Sequence, residues 1–299
     1  MKRAFKFIGM AVVVIVLLAA VIAVASHILS ERKAHRKIDV KIAALTSENT
    51  SIEQGKYLFE TRGCMECHGA GGKGREMIND PSGLYVKTPN ITTGTHGKVK
   101  NYSDVDWVRS IRHGIKPNGE PLLIMPSEDY NRLTDTDTVS LIAYLRSLPP
   151  IDGEPGVVRF PLIVKALYAF GAIKDAAEKI DHAQPAPAPV AVAATAGHGA
   201  YIANMCIGCH GPGLSGGKIP GGPPDWPPAA NLTPGSGSAM PTYDTGEKFI
   251  VMMRTAKRPD GSKVSKVMPF DSLKMLTDVD LQALHAYLKI LQPRIAGNR

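Results

Sequence analysis

The hydrophobic pattern divides the chain before any motif is considered. Phe7 to Ala25 is a run of nineteen uncharged, mostly apolar positions, set between Lys2, Arg3 and Lys6 on one side and Arg32, Lys33, Arg36 and Lys37 on the other. As a helix rising about 1.5 Å per residue, such a run crosses a hydrocarbon layer about 30 Å thick. Secretory signals have apolar cores of about 7–15 residues, so the length predicts an uncleaved anchor over a cleaved signal ending at Ala23-Val24-Ala25. Beyond it the pattern changes to amphipathic segments with helix-start signals. Ser51 and Gln54 form a capping box ahead of Tyr57 and Leu58, and Ser103 starts a helix that ends at Gly114. Thr134 and Asp137 precede Val139, Ile142 and Leu145, and Thr277 and Asp280 precede Leu281, Leu284 and Leu288. No useful strand alternation is visible, and Gly and Pro crowd the intervening loops, above all 211–241. The expected fold class is all-α.

The pattern also repeats. Shifted by 142 or 143 positions, Trp107 meets Phe249, Pro117-Asn118-Gly119 meets Pro259-Asp260-Gly261, and Leu133-Thr134-Asp135 meets Leu276-Thr277-Asp278. This predicts two domains of one fold, 38–150 and 197–299, behind an anchor or signal segment at 1–37. Between them, 151–196 holds an Ala/Pro spacer from Gln184 to Ala194, and before it Val157 to Lys174. That stretch is apolar but broken by Arg159, Pro161 and Lys165, too short to span a membrane, and is expected to be a helix packed between or beneath the domains, with a surface-lying membrane contact as the alternative.

Charge removes one functional class. The formal net charge is +8, but residues 1–37 carry seven Lys or Arg against Glu31 alone, leaving only +2 for the rest. Binding to nucleic acid is therefore not expected. The remainder is uneven: 38–182 has 17 basic and 19 acidic residues, 183–299 has 11 and 7.

The four cysteines fall into Cys64-Met65-Glu66-Cys67-His68 and Cys206-Ile207-Gly208-Cys209-His210, two C-x-x-C-H motifs at the repeat spacing. Two thiols three positions apart reach the two vinyl groups of one haem, and the adjacent histidine points its imidazole at the iron. A zinc site shared by the two pairs would have to join them across 138 residues, where zinc ribbons separate theirs by about 15–20. Disulfides within each pair are the minor alternative. Two covalently attached haem c groups are thus expected, on Cys64, Cys67 and His68 and on Cys206, Cys209 and His210. The motif also places the bulk of the chain on the outer, periplasmic face of a bacterial inner membrane, below a single-pass span.

The second axial ligand decides between electron transfer and chemistry at an open iron. Met125-Pro126 lies 57 positions after His68 and Met268-Pro269 lies 58 after His210, so repetition singles out these two from eleven methionines. Met252, Met253 and Met275 are expected to be core filler. His96 and His113 are possible nitrogen ligands in the first repeat, but His113 aligns with Thr255 and gains nothing from the duplication.

Helix, C-x-x-C-H, Pro-rich loop, Met-Pro and final helix together resemble the class I cytochrome c domain, over most of 51–150 and 197–293. With Asn90-Ile91-Thr92 and Asn231-Leu232-Thr233 before the Met loops, the arrangement resembles cytochrome subunits of membrane-bound bacterial dehydrogenases. The resemblance implies two tandem cytochrome c-like domains behind an N-terminal transmembrane helix. It further implies iron held by His68 and Met125 and by His210 and Met268, and electron transfer from a dehydrogenase subunit to a downstream acceptor, without a catalytic site. The alternative is a dihaem peroxidase, which needs one open iron.

Overall fold

The structure is a computed structural model describing residues 2–42, 45, 49–223 and 225–299. Its helices are α1 (Lys2–Ala34), α2 (Ile52–Thr61), α3 (Cys64–His68), α4 (Asp104–His113), α5 (Ser127–Tyr130), α6 (Asp135–Ser147), α7 (Leu162–Ala169), α8 (Ala176–Lys179), α9 (Ala196–Ala203), α10 (Ile207–His210), α11 (Gly246–Thr255), α12 (Phe270–Leu273) and α13 (Asp278–Ile290). The caps fall where the sequence put them. Ser103, Thr134 and Thr277 each accept from the backbone N–H three residues on, and Gly114 ends α4 with φ of 67°. At α2 half of the expected box is absent. Ser51 accepts from the Gln54 N–H, but the Ser51 N–H that the Gln54 side chain would accept from donates instead to Ser140 Oγ at 3.1 Å, and the Gln54 amide nitrogen donates to Asp137 at 3.0 Å.

Each repeat closes in the same way. The first helix crosses the last, α2 on α6 and α9 on α13. A glycine stands at each crossing, because a Cβ on Gly55 would lie 2.0 Å from the Ser140 carbonyl oxygen and one on Gly199 would lie 1.9 Å from that of Ala283. Leu58, Phe59, Trp107, Ile111, Leu141 and Leu145 form one core, and Ile202, Phe249, Met253, Leu281, Leu284 and Leu288 the other.

Two expectations need correction. The chain is largely helical but not all-α: β1 (Glu76–Asn79), β2 (Tyr85–Lys87) and β3 (Val157–Arg159) form a three-stranded antiparallel sheet in the order β1-β2-β3. Strands of three or four residues, one of them wholly exposed, are too short to show alternation. For the same reason Val157 to Lys174 is not one helix. Its start pairs with β2 as β3, and Pro161, which fixes φ and lacks a donor, stands at the N-cap of α7.

The repeats pack against each other through reciprocal contacts. Tyr57 of α2 donates to the Asp280 carboxylate of the other repeat and accepts from the Thr277 N–H at 3.0 Å. Tyr201 of α9 donates to the Asp137 carboxylate and accepts from the Thr134 N–H at 3.3 Å. Each tyrosine thus caps the last helix of the other repeat. The same aspartates are held within their own repeat by Gln54 and by His198, the latter at 2.6 Å.

Candidate haem-binding sites

Both C-x-x-C-H motifs form one short helical turn that ends at a glycine with positive φ, Gly69 at 75° and Gly211 at 81°. The loop that follows is pinned by an asparagine. Asn90 accepts from the Thr92 N–H at 2.8 Å and donates to the Ile151 carbonyl at 2.7 Å, while Asn231 accepts from the Thr233 N–H at 2.9 Å and donates to the Arg294 carbonyl at 2.8 Å. These buried staples fix the carbonyl just before them. The His68 Nδ1 lies 3.0 Å from the Pro89 oxygen and the His210 Nδ1 2.8 Å from that of Ala230. A carbonyl only accepts, so the proton sits on Nδ1 and the Nε2 lone pair is left for a metal. Burial lowers the basicity of both imidazoles, which keeps them neutral.

The Met-Pro pairs are equally alike. Pro126 (φ −81°, ψ 63°) and Pro269 (φ −78°, ψ 68°) each centre an inverse γ-turn, closed by Ser127 N–H to Met125 O at 2.9 Å and Phe270 N–H to Met268 O at 2.8 Å. Met125 packs on the same apolar cluster as Cys64, and Met268 on the same cluster as Cys206. Among the rival ligands, His96 is exposed with φ of 61° and the His113 Nδ1 lies 3.1 Å from the His182 Nδ1. Met252 and Met253 are core residues as expected. Met275 is not: it lies beyond α12 and is exposed.

Neither cysteine pair forms a disulfide, and all four thiols are half-buried. Burial pushes the Cys64 and Cys206 thiols up to about 12. Two neutral thiols, a histidine with a free Nε2 and a methionine that shares an apolar cluster with the first of the cysteines form a donor set that suits haem c in both repeats.

Cys67 and Cys209 border one cleft between the repeats. The Glu66 carboxylate accepts from the Ser272 N–H at 2.9 Å on one side, and the Asp129 carboxylate faces the Gly208 N–H on the other. Burial, with help from Glu128, raises Asp129 to about 7. Arg62, buried in the same cleft, donates to the Ile202 carbonyl at 3.3 Å, and its charge acts on both Cys64 and Cys206. Of these cleft residues, Cys67 and Cys209 are motif positions and Glu128 and Asp129 are legible in the sequence as acids around Met125, whereas Arg62 carries no sequence signal; Tyr57 and Tyr201 occupy equivalent repeat positions that alignment alone would have paired.

Comparison with known proteins now gives the family. The cytochrome c model matches residues 52–149 and again 194–292. The chain belongs to the cytochrome c family. Its two cytochrome c domains carry two covalently bound haem c groups with their iron. The chain is similar to the fructose dehydrogenase cytochrome subunit of Gluconobacter japonicus, 32% identical over 44% of this chain and 28% of that protein. It is similar to the cytochrome c subunit of a quinone-type alcohol dehydrogenase from Gluconacetobacter polyoxogenes, 25% identical over 83% of this chain and 57% of that one. It also resembles the CcoP subunit of a cbb3-type cytochrome c oxidase from Helicobacter pylori, 30% identical over 44% of this chain and 36% of its relative. This cytochrome thus spans between about a quarter and somewhat over half of the curated relatives it matches.

Proposed function

We propose that this chain is a membrane-anchored dihaem cytochrome c that carries electrons from a dehydrogenase subunit towards the respiratory chain and has no catalytic site of its own. The observation that carries this reading is the match between the two sites. In each, a histidine is oriented through Nδ1, and a methionine held by a proline-centred γ-turn packs on the same apolar cluster as the first cysteine of the motif. Cys64 and Cys67 hold the first haem and Cys206 and Cys209 the second, with His68 and Met125 on one iron and His210 and Met268 on the other. The haem iron would supply reversible one-electron chemistry, and a methionine sulfur as the second ligand beside the histidine would raise its potential. The residues of the chain hold both irons saturated, so an electron enters and leaves with little rearrangement.

The dehydrogenase partner is supported by the names of two relatives, and the oxidase relative supports an acceptor in the respiratory chain. On this reading residues 1–37 anchor the chain, 38–150 and 197–299 are the haem domains, and 151–196 connects them. α1 is long and apolar enough to span a bilayer, and the haem domains lie on the periplasmic side.

The two Met loops differ in charge. Around Met125 the acids are largely occupied: Glu120 pairs with Lys37 and Lys116, and Glu128 with Lys179. Beside Met268, Lys257, Lys263 and Lys266 line an open pocket of about 400 Å³ and, among the described residues, stand outside every ion pair. An acidic redox partner is therefore steered to the second domain, with rates that fall as salt rises.

Replacing Met125 or Met268 by Ala should remove the sulfur-to-iron charge-transfer band of one haem and lower its potential. Unchanged spectra in both variants would overturn the ligand assignment. Turnover of hydrogen peroxide by the unmodified protein would favour the peroxidase instead.

A further inference from the structure

The helix α7 has one apolar face that the rest of the chain leaves uncovered. Leu162, Ile163, Leu167 and Phe170 recur at helical spacing and are 49%, 65%, 40% and 64% exposed, whereas Tyr168 on the opposite side is buried. The covered side is held against the end of α1. Lys165 Nζ lies 2.9 Å from Glu31 Oε1 and 2.9 Å from His27 Nδ1, Lys33 donates to the Tyr168 carbonyl at 2.9 Å, and Arg36 grips Asp175 through two bonds of 2.7 and 2.8 Å. The Tyr168 hydroxyl closes this group on Asp175 at 2.7 Å.

These contacts fix the direction of α7. As residue numbers rise along α1 from His27 and Glu31 to Lys33, their partners rise along α7 from Lys165 to Tyr168, so the two helices run side by side in the same sense. The first turn of α7, with Leu162 and Ile163, lies nearest His27, two residues past the last apolar position of the Phe7–Ala25 run. On α1, the small residues Ser26 and Ser30 are buried, while Ile22, Val24, Ile28 and Leu29 remain exposed. The apolar surface of the span therefore continues onto α7 without a break.

We propose that α7 is a second membrane contact, standing beside the anchor where it leaves the outer leaflet, with the first-turn residues Leu162 and Ile163 in the interfacial lipid layer and Leu167 and Phe170 above them on the same face. This rests on the reading of α1 as a membrane span, and deepens it: a single helix leaves the domains free to swivel, whereas a second contact joined to α1 by Lys165, Lys33 and Arg36 sets which way the haem domains face. Lipid is the occupant because the face is continuous with the lipid-facing side of α1 and begins where the apolar run ends. Apolar side chains at the headgroup boundary are buried against lipid, while Lys165, held at 2.9 Å by Glu31, ties the same turn to the anchor.

The test is photolabelling of the full-length holoprotein in vesicles of phosphatidylethanolamine and phosphatidylglycerol carrying a diazirine on the acyl chain, with adducts mapped by mass spectrometry. Adducts are expected on α1 and on peptides spanning 160–174. The double variant Ile163→Glu, Phe170→Glu should lose most of the 160–174 adducts, keep those on α1, and retain the haem spectrum. Adducts on α1 with none on 160–174 would overturn the proposal and leave the anchor intact. Absence from both would remove the anchor reading and this inference with it. Chain-to-chain crosslinks at 160–174 in place of lipid adducts would give the face to a second copy and also overturn the proposal.

Discussion

At the scale of single residues, the sequence reveals ligands far better than the groups that tune them. Cys64 and His68 stand out by their local spacing, and Met125, the proposed sixth ligand, by its repeat position, as do their counterparts in the second repeat. Arg62 has no such signature: one residue past α2 it reads as a solvated helix end, and only tertiary packing buries it beside both cysteine pairs. A fixed cation disfavours the more positive oxidised iron, so Arg62→Gln should lower both potentials by on the order of tens of millivolts, the scale of an ion–ion energy at intermediate dielectric. Arg62→Lys should restore most of the loss in a redox titration. Potentials unmoved by Arg62→Gln would show that the charge is screened from both haems.

His113 likewise had to be placed by the structure. Burial, then the facing His182 and the nearby Arg112 and Arg109, lower it to about 4, and burial also lowers His182. The folded state thus prefers the neutral pair. Its contribution to stability is complete above the ordinary histidine value of about 6.5 and is lost as pH falls from there towards 4. The thermal midpoint should fall more between pH 7 and pH 5 in the wild type than in His113→Gln. Equal falls would show that this pair does not govern the packing of α8.

Among the elements, caps and long helices were legible and the sheet was not. Ser103, Thr134 and Thr277 announce helix starts through bonds made within three residues. The third strand depends on pairing between residues about seventy positions apart, such as Val86 with Val158, and the β1–β2 hairpin, though local, is too short to show alternation. The helix crossings give a sharp test, because two effects oppose each other there. In an exposed helix, Gly→Ala stabilises by up to about 1 kcal/mol. At Gly55 and Gly199 the added Cβ would meet a backbone carbonyl at about 2 Å, so overpacking should win and cost about 1–3 kcal/mol in each domain. Denaturant titration of Gly199→Ala should show the second domain unfolding first, and a raised midpoint would mean that the helices part easily.

For the whole molecule, the duplication was legible and the pairing of its halves was not, since the contacts of Tyr57 and Tyr201 join residues more than sixty positions apart. These reciprocal bonds join the repeats around the cleft that Cys67 and Cys209 both border, so they are expected to set how closely the two haems would approach. Hydrogen bonds to charged groups contribute about 1.5–3 kcal/mol, so Tyr57→Phe with Tyr201→Phe should loosen the pairing by a few kcal/mol. It should slow electron exchange between the haems, seen as a delayed second phase when one haem is reduced by a fast pulse. An unchanged exchange rate would show that the cleft is held by other contacts.

The central claim is that both irons are saturated by the protein, which makes this cytochrome a carrier and not an enzyme. Carbon monoxide added to the fully reduced protein at neutral pH tests it directly, because the gas binds only an open or readily vacated iron. The account predicts no change in the Soret band of either haem. A shift with half the total amplitude would mean that one iron is open, the arrangement of a dihaem peroxidase.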